Sequence, residues 1–199
     1  MMMMGDLQPI QPIRIDLSAM ARRSVATLYS HLVTRPTGQA LRLGIESQIG
    51  ELGELCVSIL DFSQVAIIDF SCADETIAKL IRRYQSDDRP AEAFFIARGL
   101  GEVHRETVEE VLLRHGLALV CEDDGGMLLL GEVDGLEKAA WDQLERRGRL
   151  GSAAVAKSVG LAEEAVELAL ASLARKRVLL RDVAASEYLS IRALLPEGA

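Results

Sequence analysis

Four sets of side chains in this 199-residue sequence have types and spacings that could do chemistry. Asp69, Ser71, Asp74 and Glu75 crowd a hydroxyl among three carboxylates within seven positions. Such a hydroxyl can cap a helix, accept a phosphoryl group or meet a protein partner, and the acids suit the positive end of a helix dipole. Arg35, Thr37, Gly38 and Arg42 place two guanidiniums around a helix start. Backbone N–H groups and forked donors there could hold a phosphate or an acidic loop. The spacing is not that of a P-loop, which needs two glycines and a Lys-Ser/Thr pair. Arg98, Gly99, His104 and Arg105 follow an expected strand, on the side where α/β sheets place ligands. Gly99-Leu100-Gly101 does not extend to a dinucleotide fingerprint, because His104 stands where the third glycine belongs. Arg175, Lys176, Arg177 and Arg181 are the cations placed to meet DNA phosphates.

None of these sets pairs a nucleophile with a base. His31 falls on one expected helix and His104 and His115, eleven positions apart, on another, without carboxylates at ligand spacing. The sequence predicts no catalytic residue, no metal ligand and no cofactor. Cys56, Cys72 and Cys121 are odd in number, far apart and set in apolar runs. Buried thiols in a reducing compartment follow, and with them a cytoplasmic location. No apolar stretch approaches the ~20 residues that span a bilayer, so no membrane partner is expected. The opening Met1-Met2-Met3-Met4-Gly5 lacks the basic region and long apolar run of a secretion signal.

The elements that must position these side chains follow from periodicity. Residues 7–17 alternate apolar and polar like a strand, with Pro9 and Pro12 confining it to a sheet edge. Val25, Leu28, Tyr29 and Leu32 predict a helix over 24–33, broken by Thr34-Arg35-Pro36-Thr37-Gly38. Leu41, Ile45, Ile49 and Leu52 predict a second helix. A strand then ends at Asp61, a short apolar piece reaches Asp69, and Ser71 reads as the N-cap of a helix carrying Ile77, Leu80, Ile81 and Tyr84 inward. Strand 92–97, helix 102–115 stopped by Gly116, and strand 117–121 continue the alternation, implying right-handed crossovers and a mainly parallel sheet. The turn 122–126 returns an antiparallel strand over 127–133.

From Leu136 helices take over: one with Trp141 and Leu144 inward, a short one over 152–159, and one over 161–176 with Val166, Leu170 and Leu173 inward. Two strands, 178–182 and 188–192, close the chain. Charge changes at the same point. Residues 1–135 carry 12 basic and 21 acidic side chains, a net −9, and residues 136–199 carry 10 and 9, a net +1. Two units are therefore expected, 1–135 and 136–199. A total charge of −8 argues against nonspecific coating of nucleic acid.

Asp61-Phe62-Ser63-Gln64-Val65 followed by Asp69-Phe70-Ser71 is similar to the corner of STAS domains, found in sulphate transporters and in antagonists of bacterial anti-sigma factors. The continuation Ser71-Cys72-Ala73-Asp74-Glu75 resembles STAS-like bacterial domains of unknown function. The resemblance covers roughly residues 20–122. It implies an α/β fold with a mainly parallel sheet flanked by helices. Ser71 matches the serine that a partner kinase phosphorylates in the antagonists, although Cys72 replaces their glycine. Three helices and a hairpin resemble, in outline only, a winged helix-turn-helix, a small α+β domain.

The resemblance implies a non-catalytic signalling protein whose Asp69–Glu75 corner docks a kinase or a sigma/anti-sigma-type regulator. A second copy of the chain is another compatible partner. The plainer role of Ser71 is a cap bonded to the amide of Asp74, and a cap and a docking corner can coexist. The alternative is a transcription regulator with the winged helix on DNA. Glu163, Glu164 and Glu167 would meet phosphates at the front of its reading helix, so protein contact is the favoured use of that unit.

Overall fold

A computed structural model describes residues 12–16, 31–52 and 55–195. The fold is mixed α/β, with a mostly parallel sheet flanked by helices. The main sheet has the order β1-β3-β5-β6-β7. Its strands are β1 (Pro12–Asp16), β3 (Leu55–Asp61), β5 (Glu92–Arg98), β6 (Ala118–Asp123) and β7 (Gly126–Gly131). The first four run parallel and β7 returns antiparallel. β1 is an edge strand, where the missing N–H of Pro12 costs little. Pro9 and the expected helix segment 24–30 lie outside the described residues.

The expected helix does not continue through Val33. His31–Leu32 is a short strand, β2, paired in parallel with β4 (Ile67–Ile68). Leu32 is fully buried in this pairing, so tertiary burial overrides the helical spacing. Nor does Pro36 break a helix. It lies in the first turn of α1 (Arg35–Leu52), where its ring and absent N–H are tolerated. Leu41, Ile45 and Ile49 face inward as expected, whereas Leu52, at the helix end, is exposed.

The next helical stretch has three parts. α2 (Phe70–Ala73) runs into a π turn (Asp74–Ala78) and then α3 (Lys79–Gln85). α4 (Glu102–His115) ends at Gly116, whose φ of 64° is the left-handed cap that glycine adopts without strain. These helices cover one face of the sheet over Cys56, Leu60, Phe95, Ala97, Leu119 and Cys121.

The alternate strand residues build a second core. Val57, Ile59, Phe94, Ile96, Ala118 and Val120 pack against Trp141, Leu144, Leu170, Leu173 and Tyr188 from the last third of the chain. That third comprises α5 (Gly135–Arg147), β8 (Arg149–Leu150), α6 (Ser152–Val159), α7 (Glu163–Arg175), β9 (Leu179–Asp182) and β10 (Glu187–Ser190), with a 3-10 turn at Ile191–Leu194. Its sheet has the order β8-β10-β9, all antiparallel. The character of the chain changes at residue 135, but the C-terminal part covers the second sheet face instead of hanging from a linker. Among the described residues, no helix is long and apolar enough to cross a membrane.

Candidate functional site

The corner between β4 and α2 is built on Asp69. Its extended backbone (φ −89°, ψ 163°) is that of an N-cap, and Oδ1 accepts from Cys72 N at 2.7 Å. Oδ2 accepts from Thr34 N at 3.1 Å, and Asp69 N donates to Leu32 O at 3.0 Å. Through its carboxylate and its amide, Asp69 thereby ties β2 and the residue before α1 to the start of α2. Thr34 is held at φ 77°, a left-handed conformation that costs a β-branched residue about 1–3 kcal/mol.

Ser71 is not the N-cap. The helix begins at Phe70, two residues before a Ser71 cap would start it, and Asp69 supplies the capping oxygen, which leaves Ser71 half-buried within the first turn. Its hydroxyl is not bonded to the amide of Asp74, which pairs with backbone carbonyls of Phe70 and Ser71. Its neighbours in the chain include an exposed apolar side chain and a stacked ring. Ile67 is 48% exposed, Phe70 is half-buried, and the Arg114 guanidinium lies 4.4 Å from the Phe70 ring centroid.

Asp74 and Glu75 point the other way. Their side chains are 10% and 8% exposed and form an ionic cluster beneath the corner. Asp74 Oδ1 is 2.6 Å from His115 Nε2, and Arg35 Nη1 donates to Asp74 at 3.2 Å and to Glu75 at 3.3 Å. Lys79 completes the set on Glu75. Burial alone would raise the Asp74 pKa, but the hydrogen bond and charge of His115, then Arg35, hold it below the ordinary value. These two acids therefore support the corner and are not its contact surface. The π turn that carries both is the kind of local widening found at functional sites.

The expected anion cluster is dispersed. Arg35 is taken by two carboxylates, and Arg42 pairs with Glu46 at 2.8 Å. Thr37 is buried, 3.2 Å from the Thr34 hydroxyl. Gly38 serves packing: a Cβ there would lie 2.7 Å from both Cys72 O and Glu75 Cβ, so α1 can approach α2 only at a glycine.

The C-terminal cations are divided as well. Lys176 donates to Glu132 O and to both Glu137 oxygens, at 2.7 to 2.9 Å. Arg177, with a side chain 10% exposed, donates to Ala93 O and Glu92 and stacks 4.3 Å from the Phe94 ring centroid. Arg177 thereby fastens the C-terminal part to the sheet, and Lys176 ties the end of α7 to the start of α5 and to the connection after β7. Arg181 pairs with Glu167, and Arg175 is exposed.

Arg98, Gly99 and Arg105 do come together, lining a cleft of about 600 Å³ with Ser63 and the hairpin residues Glu122–Gly125. Each arginine is neutralised: Arg98 by Glu122, and Arg105 by Asp123 at 3.3 Å. His104 contributes its Nε2 to Ala66 O at 3.1 Å instead. Among the described residues, no group of three or more His, Cys, Asp or Glu is placed to hold a metal. All three cysteines are buried and unpaired with one another, and burial pushes each thiol up to about 11.

Sequence reasoning missed His115 as the partner of Asp74 and Arg114 as the lid of Phe70. Neither pairing leaves a local signal, since one crosses from the π turn and the other from α2 to α4. Neither the family models nor the curated proteins with which the chain was compared gave a match.

Proposed function

We propose that this chain is a non-catalytic bacterial regulatory protein acting in the cytoplasm through protein–protein contacts of a STAS-like α/β unit. The contact surface is the Ile67–Ser71 corner. The observation that carries this reading is the exposed Ile67 beside half-buried Phe70 and Ser71, roofed by Arg114 and held by Asp69. An exposed isoleucine near a half-buried ring stacked by an arginine and a half-buried serine has the composition of a protein-contact anchor. The Asp74–His115–Arg35–Glu75 cluster underneath keeps the helix start rigid, which lowers the ordering cost of binding. A kinase or a sigma/anti-sigma-type regulator is the partner class, with Ser71 as the position where an added charge would repel it.

The test is retention of cell-extract proteins by wild type and by the double variant Ile67→Asp, Ser71→Asp. A partner held by wild type and lost by the variant supports the corner. Identical retained sets from two folded proteins refute it.

A second reading is a transcription regulator. The order α5-β8-α6-α7-β9-β10, with the sheet β8-β10-β9, favours it because this is the outline of a winged helix. The inward commitment of Lys176 and Arg177 weighs against it, since phosphate contacts supply most nonspecific affinity. A salt-sensitive duplex shift lost on Arg175→Ala or Arg181→Ala would favour this second reading.

A further inference from the structure

We propose that the outer face of α7 is a docking groove for a basic amphipathic segment of another protein. This goes beyond the corner reading and does not depend on it. Ser152, Ala162, Glu163, Glu164, Glu167 and Leu168 line an open groove of about 740 Å³. Leu168 is 72% exposed, and Leu161, which enters the helix, is 52% exposed. The inward stripe of α7 is complete without them: Val166, Leu170 and Leu173 are fully buried against α5, α6 and the main sheet. The groove therefore sits on a helix already anchored by its other face, and neither Leu168, which lines it, nor Leu161, just before the helix, serves the core.

Charge decides the occupant. Glu163 accepts from the Ser152 hydroxyl at 3.1 Å, and Glu167 accepts from Tyr188 at 2.7 Å and from Arg181 at 3.2 Å. No cation pairs with Glu163 or Glu164 among the described residues. Glu164 and Leu168 are one turn apart on one flank of the helix, and Glu163 and Glu167 on the neighbouring flank. An acidic first turn is what a helix dipole favours by itself, but exposed leucines beside it are not. A helix with leucines on one side and lysines or arginines flanking them matches both features. DNA matches neither, because its phosphates would face three carboxylates.

The test uses the full chain and a fluorescein-labelled peptide of leucine and lysine at helical spacing, about 18 residues long. Fluorescence anisotropy is compared with that of a leucine–glutamate peptide of the same pattern and a duplex of about 20 base pairs. Saturable binding of the leucine–lysine peptide is expected, weakened about tenfold by Leu168→Ser and by Glu163→Lys, Glu164→Lys. The control Glu106→Lys, Glu110→Lys changes charge equally on exposed positions of α4 and should leave binding within about twofold. Leu168, Glu163, Glu164, Glu106 and Glu110 are all exposed, and circular dichroism melting confirms the fold of each variant. Absence of saturable binding, equal weakening by the control, or tighter binding of the duplex overturns the proposal. Loss of binding by the corner variant Ile67→Asp, Ser71→Asp would also overturn it, by placing the peptide at the other site.

Discussion

His115 Nε2 lies 2.6 Å from Asp74 Oδ1, joining the last turn of α4 to the π turn across 41 residues of chain. The same carboxylate takes Arg35 from the start of α1, so three helices meet on one acid. The folded protein favours the ionised form of Asp74, whose pKa is lowered chiefly by His115 and Arg35 against the opposing effect of burial. Its contribution is fully present above the unfolded value of about 3.9 and is lost as pH falls through the lower folded value. Asp74→Asn should cost about 1–3 kcal/mol at neutral pH. Urea titrations from pH 7 down to about 3 should find that the gap from wild type narrows below pH ~4.

Asp69, not Ser71, carries the capping energy. Asp69→Ala should lose about 1–2 kcal/mol, since it removes both the bond to Cys72 N and the bond to Thr34 N. Ser71→Ala should stay within about 0.5 kcal/mol of wild type. Chemical denaturation of the pair separates the two, and a larger loss at Ser71 would contradict the cap assignment.

Much of this architecture was legible in the sequence, for reasons that differ by element. β3, β5, β6 and α4 are apolar or amphipathic runs bounded by turn residues, so their periodicity survives in the fold. The serine cap was misplaced because Ser71 and Asp69 both satisfy the capping preference, and only the backbone angle at Asp69 separates them. The His115–Asp74 pair and the Arg114–Phe70 stack join residues far apart in the chain, where spacing carries no information. The basic run Arg175–Arg177 misled for a related reason. Arg177 is drawn inward by Glu92 and Phe94, about 85 positions earlier.

Arg177 is accordingly the residue that fastens the C-terminal part to the sheet. Removing it strips Glu92 of a partner, frees Ala93 O and uncovers the Phe94 ring. Arg177→Ala should cost about 2–4 kcal/mol, and Arg175→Ala next to nothing. Equal losses from the two, read from urea midpoints, would contradict the inward assignment.

Gly38 makes a sharper test of packing. A methyl group there meets a backbone carbonyl and the Glu75 Cβ, neither of which can turn aside. Gly38→Ala should destabilise by about 1–3 kcal/mol despite alanine's better helix propensity. A neutral or stabilising result would mean that α1 and α2 are farther apart than described.

The central claim concerns the Ile67–Ser71 corner, and hydrogen–deuterium exchange on the chain with and without its retained partner tests it most directly. Slower exchange over residues 66–71 and over the Arg114 turn of α4 is the predicted result. Unchanged exchange there, with protection confined to other surfaces, would contradict it.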